Sequence, residues 1–162
     1  MLALYKHTLV PDLAGLEGHI GSPKLIVDIG AGIRPATWVN ARRHICVEPC
    51  HVYAEILRDN GYEVIETEAA DGIYSAPYAD MILMLDVIEH MEREDANSAI
   101  GCAMMRSDRV MIYTPNGFVP QDEDKWGLGQ VEWQTHRSGW TPDDFDGWKI
   151  IEGKEGFAAI YG

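Results

Sequence analysis

Cysteine is scarce in this 162-residue chain, long apolar runs are missing, and positive charge is in deficit. Three cysteines, Cys46, Cys50 and Cys102, are too few and too odd in number for a disulfide framework, which suits a reducing compartment. Cys46, Cys50 and His51 lie close in sequence, but Cys46 falls in an apolar strand pattern and no second ligand cluster faces them, so no metal is expected. No uncharged apolar run reaches the roughly eighteen residues of a membrane span. Met1 to Val10 also lacks the basic-then-apolar layout of a secretory leader. The expectation is a cytoplasmic protein without a membrane partner. With 26 acidic against 13 basic residues the formal net charge is −13, which repels polyanions and makes nucleic acid a poor partner.

What is present is a 46% hydrophobic content, enough to fill one core, so a single domain over 1–162 is expected. From Lys24 onward, short β-branched runs alternate with polar-faced segments, the pattern of a parallel sheet covered by helices on both faces. Strands are expected at Leu25–Ile29, Ile45–Val47, Glu63–Ile65, Met81–Leu85 and Arg109–Tyr113. Met81–Leu85 is apolar throughout and belongs in the middle of the sheet. Helices are expected over Val52–Asn60, ended by Gly61, and over Glu92–Met105, where Ala96, Ala99, Ile100, Ala103 and Met104 make one stripe. Met104 and Met105 read as core filling. Thr114-Pro115-Asn116-Gly117 marks a turn that stops the fifth strand.

Residues 118–140 have no periodicity and form an irregular, substrate-side loop or lid. Thr141-Pro142 opens a short helix, and Trp148–Glu152 with Phe157–Tyr161 makes an antiparallel hairpin. Residues 1–23 form a lead-in with at most one short helix.

Two features point to a nucleotide-like ligand. In Val27-Asp28-Ile29-Gly30-Ala31-Gly32 two glycines follow a strand, where a tight turn brings backbone N–H groups close to a ligand. Glu48 ends the second strand, where a carboxylate can accept from ribose hydroxyls.

These segments resemble the class I S-adenosylmethionine-dependent methyltransferases, especially the small-molecule branch related to the ubiquinone-biosynthesis and type 11 enzymes. Val27–Gly32 resembles the first motif of the family, Val47-Glu48-Pro49 its second, and Ala79–His90 its fourth; Tyr113–Gly117 resembles the segment after the next strand. Asp86-Val87-Ile88-Glu89-His90 is the most specific piece, because neither sheet packing nor helix capping demands it. The resemblance implies a three-layer α/β, Rossmann-like sandwich with a mostly parallel seven-stranded sheet and an antiparallel C-terminal hairpin. It implies S-adenosyl-L-methionine as cofactor and a small-molecule methyl acceptor as partner.

Residue by residue, it implies that Asp28, Gly30, Ala31 and Gly32 surround the methionine portion, with Asp28 on its ammonium group. Glu48 would hold the ribose, Pro49 and Glu68-Ala69-Ala70-Asp71 would flank the adenine, and Leu85, Asp86 and Val87 would line the open side. The third glycine of the family's loop is replaced in Gly32-Ile33-Arg34-Pro35; Pro35 then reads as fixing the start of a helix, and Arg34 as either meeting the cofactor carboxylate or standing in solvent.

Methyl transfer from a sulfonium needs alignment more than chemistry, plus a base where the acceptor carries a proton. His90 and His136 are the candidate catalytic bases. Trp126, Trp133 and Trp140 would either wall a pocket or pack the loop down, and Asp122, Glu123 and Asp124 read as a solvated turn. The rival reading is a non-catalytic module that holds the cofactor or a partner on the same fold. An amino-group DNA methyltransferase would need an Asn-Pro-Pro-Tyr type motif that the chain lacks, and a nicotinamide dehydrogenase has no use for Asp86–His90.

Overall fold

β-Branched and other apolar residues that cannot face water on either side build the centre of the molecule, which a computed structural model describes over residues 15–162. After α1 (Glu17–Ile20) the chain forms β1 (Leu25–Ile29), β2 (Arg43–Val47), α2 (His51–Asp59), β3 (Glu63–Ile65), α3 (Ala69–Ser75) and β4 (Ala79–Leu85). A 3-10 turn at Ile88–His90 leads into α4 (Arg93–Arg106), then β5 (Ser107–Pro115) and the short α5 (Val131–Gln134). A second 3-10 turn at Pro142–Asp144 precedes β6 (Lys149–Glu152) and β7 (Gly156–Tyr161).

The seven strands run in the order β3-β2-β1-β4-β5-β7-β6. The first five in that order are parallel, and β7 inserts antiparallel between β5 and β6. β4 is thus the central strand, as its unbroken apolar run requires. On one face Val27, Ile29, Ile45, Val47 and Ile82 pack under residues of α3 and α4, with Trp140 and Phe145 at the far end. On the other face Ile26, Met81, Leu83 and Met111 meet Leu16 and Ile20 of the α1 region together with Ala36 and Val39. α2 covers the β2 side of that second face by placing Leu57 on Cys46. α3 lies so close to β2 that a methyl group on Gly72 would stand 2.2 Å from Val47.

Four expectations change. Residues 30–42, between β1 and β2, make turns rather than the helix read from Pro35: the Asp28 carboxylate accepts the Ala36 N–H at 2.7 Å and bends the chain back over the sheet. α3 was not anticipated, because Gly72 and Tyr74 dilute its short apolar stripe. β5 runs on through Thr114 and Pro115, which pair with Phe157 and Gly156 of β7. Met105 is not core filling: it is 63% exposed on α4, while Cys102 takes a buried place. The hairpin, β3 and the end of α2 at Asn60-Gly61 lie where the sequence puts them, and residues 1–14 of the lead-in lie outside the described residues. Among the described residues no helix is long and apolar enough to cross a membrane.

Candidate active site

β1 and β4 are neighbours, yet the chain leaves β1 toward β2 and β4 toward β5, so their carboxyl ends open a crevice. A cavity of about 1240 Å³ occupies it. Gly30 and Gly32 form one lip, with φ of 61° and 56°, a backbone region that disfavours side chains. Space excludes them too: a Cβ on Gly30 would meet Val87 at 2.8 Å, and one on Gly32 would meet the Trp126 ring at 2.5 Å.

Glu48 follows β2 and is 4% exposed. Its Oε2 accepts the Gly32 N–H and its Oε1 the Cys50 N–H, each at 2.8 Å, which ties the glycine turn to the start of α2. Burial pushes its carboxyl up to about 7; the two backbone donors oppose that rise, and repulsion from Asp28 and Glu68 adds to it.

Across the crevice Asp86 leaves β4 with φ 55°, the one non-glycine positive φ among the described residues, and its N–H donates to the Tyr113 carbonyl at 2.9 Å. It is accessible from the cavity but walled by protein elsewhere. That enclosure lifts its carboxyl to about 6, against the pull of Arg34 and with a push from Glu155.

Glu89 lies deeper. Its carboxylate accepts the Thr114 hydroxyl at 3.1 Å, and burial together with the charge of Asp86 holds it well above the usual carboxylate range. Its backbone carbonyl accepts the N–H groups of Arg137 and Ser138 at 2.7 and 3.1 Å, which docks the 118–140 segment onto the crevice. His90 and His136 come together there with ring centroids 4.7 Å apart. Burial pushes His90 down to about 4, helped by His136 and Arg137, and burial also lowers His136.

The 118–140 segment is a wall with its own internal bonding. Gln134 is buried; its amide nitrogen donates to Tyr53 Oη and to Asp124 Oδ1, both at 2.8 Å. Asp124 also accepts the Trp126 and Gly129 N–H groups, so it is a structural cap rather than the solvated residue expected. Trp126 packs edge-on against Tyr53 with 4.9 Å between centroids, and the Arg34 guanidinium stands 5.8 Å from the Trp126 ring. Trp126 and Trp133 line the cavity. Trp140 is fully buried and bridges to Asn116 and Gly117, a packing role.

Of the residues singled out in the sequence, Gly30, Gly32, Glu48, Pro49, Ala70, Asp86, Val87, His90 and His136 line this cavity. Asp28, Ala31, Asp71 and Leu85 are not among the lining residues. Asp28 is enclosed, holds Ala36 and meets His44 Nε2 at 3.0 Å, so it shapes the turn. Ala31 packs with Cys46 and Leu57, and Asp71 is exposed on α3. Sequence reading missed Tyr53, Gln134 and the buried Glu89 as members of the site, although Glu89 sat inside the motif that drew attention.

The backbone frame has close counterparts among solved structures. A SAM-dependent methyltransferase from Archaeoglobus fulgidus superimposes with a TM-score of 0.66 over 91% of this chain and 90% of that one, at 13% identity. The fold is that of the class I methyltransferases. The magnesium protoporphyrin IX methyltransferase of Synechocystis PCC 6803, solved with bound SAM, matches with a TM-score of 0.59 and 14% identity, over 88% of this chain and 71% of that one. An O-methyltransferase family protein from Burkholderia thailandensis matches at 0.59 and 12% identity over 90% of this chain, which spans 52% of that protein. No protein-family model matches the sequence, and no curated protein does. The likeness to class I methyltransferases is therefore one of fold, carried by strand order and the C-terminal hairpin.

Proposed function

We propose that the chain transfers a methyl group from S-adenosylmethionine to a small-molecule acceptor. The observation that carries this reading is the glycine turn bonded to Glu48 at the β1–β4 crevice of a class I methyltransferase sheet. The residues fit the cofactor: two positions closed to side chains make room for its amino-acid end beside a buried carboxylate. Each Glu48 oxygen accepts one backbone N–H and retains a lone pair for a ribose hydroxyl. Pro49, Glu68 and Ala70 border the space for the adenine. Asp28 acts on the turn from behind, as a positioning residue.

When bound, the cofactor supplies a methyl group already activated on a sulfonium, so the protein's task is to align the acceptor and exclude water. Asp86, Val87, Trp126 and Trp133 line the space through which the acceptor would approach. His90 and His136 line the cavity, burial favours their neutral forms, and they are placed to take a proton from the acceptor. The cavity volume suits a small acceptor, and the charge of −13 disfavours nucleic acid.

Calorimetric titration with S-adenosylmethionine and S-adenosylhomocysteine tests the assignment. Micromolar binding, about −8 kcal/mol, that Glu48→Ala weakens at least tenfold is expected. No binding by folded protein would overturn it. Transfer of a labelled methyl group into a small-molecule extract then separates an enzyme from a module that only holds the cofactor.

A further inference from the structure

We propose that the methyl acceptor is an amine, and that Asp86 receives it as an ammonium ion. The proposal rests on the methyl-transfer reading and narrows its substrate class. Asp86 lines the cavity with φ 55°, a backbone region that costs free energy for a residue with a side chain and that Asp and Asn enter more readily than most. Among the described residues no hydrogen bond or salt bridge reaches its carboxylate; Arg34 attracts it only through space. A carboxylate walled by protein and left without a donor is unfavourable until a ligand brings one.

The charges around Asp86 select the sign of that ligand. Glu89 and Glu155 both stand close enough to repel it. Among the described residues that line the cavity, eight carboxyl groups face three lysine or arginine side chains. Two of those three cations are committed: Arg137 donates to the His90, Thr135 and Glu132 carbonyls, and Lys125 Nζ pairs with Glu123 at 3.0 Å. The third, Arg34, borders the cavity with the glycine lip, where the carboxylate of the proposed cofactor belongs. That cofactor carries a sulfonium, an ammonium and a carboxylate, so its single net positive charge leaves most of the negative charge unbalanced.

An ammonium ion supplies what is lacking. It brings up to three donors and a positive charge, whereas a hydroxyl brings one donor and no charge, and only the charge relieves the repulsion among Asp86, Glu89 and Glu155. Trp133, half-buried in the cavity wall, adds an aromatic ring of the kind that attracts ammonium groups.

The transfer needs the nitrogen lone pair free. One proton passes from the ammonium to the neutral imidazole of His136, whose Nδ1 meets the Val119 carbonyl at 2.6 Å and whose lone pair is therefore on Nε2. Nitrogen then forms its bond to the methyl carbon as the carbon–sulfur bond breaks, the electron pair of that bond staying on sulfur. The products are an N-methylammonium ion and a thioether. Asp86 stays ionised throughout and faces a positive nitrogen before and after the step.

The test is calorimetric titration of the full chain at pH 7 with phenethylamine, n-butylamine and cyclohexylamine, each against the alcohol of the same carbon skeleton, with and without saturating S-adenosylhomocysteine. At least one amine should bind the S-adenosylhomocysteine complex roughly tenfold more tightly than its alcohol. Asp86→Asn, which tolerates the same φ and is checked for folding by circular dichroism, should abolish that preference. Asp122→Asn, which removes one negative charge outside the cavity lining, should keep it. No preference for any amine, or an equal preference in folded Asp86→Asn, overturns the proposal. The ammonium of the cofactor shares this chemistry, so S-adenosylhomocysteine affinity is read on both chains: a roughly tenfold loss in Asp86→Asn gives Asp86 to the cofactor and overturns the acceptor assignment. S-adenosylhomocysteine binding without amine preference sinks this inference alone, and amine preference in a chain that binds no S-adenosylhomocysteine sinks the cofactor reading alone. Labelled methyl from S-adenosylmethionine should enter the preferred amine; failure to label it overturns its role as acceptor.

Discussion

Replacing Glu48 by glutamine should remove most of the pH dependence of S-adenosylhomocysteine binding between 5.5 and 8. Ribose hydroxyls donate to a carboxylate, so the proposed cofactor favours ionised Glu48, and binding must remove any proton the empty site holds. With the carboxyl at about 7, affinity should fall roughly tenfold for each pH unit below that point. Between pH 8 and 5.5 the loss is about 30-fold, or about 2 kcal/mol. The glutamine side chain does not titrate. It also offers one acceptor where the carboxylate offers two, leaving Gly32 or Cys50 N–H without a partner, so its affinity at pH 8 should be lower by about 1–3 kcal/mol.

Stability of the empty protein moves the other way. A carboxyl raised in the folded state binds a proton more tightly there than in the unfolded chain, so its contribution is present below about 4.5 and is lost as pH rises to about 7. The slope is at most about 1.4 kcal/mol per pH unit. Asp86 adds a slope of the same sign and His90 one of opposite sign, but both persist in the variant, so the difference between the two chains isolates Glu48. Calorimetric titrations and thermal melts on both chains across this range are the assay. Equal pH dependence in the two would refute the reasoning, as would a flat profile for the unaltered chain.

Three further outcomes follow from the geometry. Gly32→Ala forces a methyl group against Trp126 at a positive φ, so it should destabilise the fold by about 1–3 kcal/mol and displace the lid; denaturant melts and S-adenosylhomocysteine titration read both. Asp28→Asn should cost about 1–2 kcal/mol of stability through His44 and Ala36, yet change cofactor affinity far less than Glu48→Ala; comparable losses of affinity would return Asp28 to the binding surface. Arg93 joins α4 to Asp144 and the Gly139 carbonyl and lies 4.3 Å from the Trp140 ring, so Arg93→Ala should lower Tm by a few degrees, about 1 kcal/mol for a half-exposed group, without altering cofactor affinity.

The sheet was legible in the sequence because a strand buried on both faces must be apolar, as over Met81–Leu85 of β4, and because Asn60-Gly61 offers a helix end that few other pairs do. Pro35 misled because proline suits the first turn of a helix and a tight loop equally; the deciding bond, Asp28 to Ala36, spans eight residues and leaves no periodic trace. Pro115 misled in the opposite sense, since its missing N–H is tolerated at the end of a strand. At the site, Gly30, Gly32, Glu48 and Asp86 were legible from order along the chain. The meeting of Glu89 and His90 with His136 was not, because it depends on Arg137 and Ser138 docking on the Glu89 carbonyl, a backbone bond that no side chain announces.

The turns between β1 and β2 change how an anionic group would be met at that end of the cavity. A helix starting after Gly32 would direct aligned peptide dipoles toward the carboxylate of the proposed cofactor, a field built into the backbone. With turns there instead, positive potential beside the glycine lip comes from Arg34, an exposed side chain that borders the cavity. Mobile ions screen an exposed charge over about 10 Å at 0.1 M salt. Capture of the cofactor's carboxylate is thereby tied to ionic strength, and a chain that binds well in dilute buffer should release its ligand more readily as salt is added.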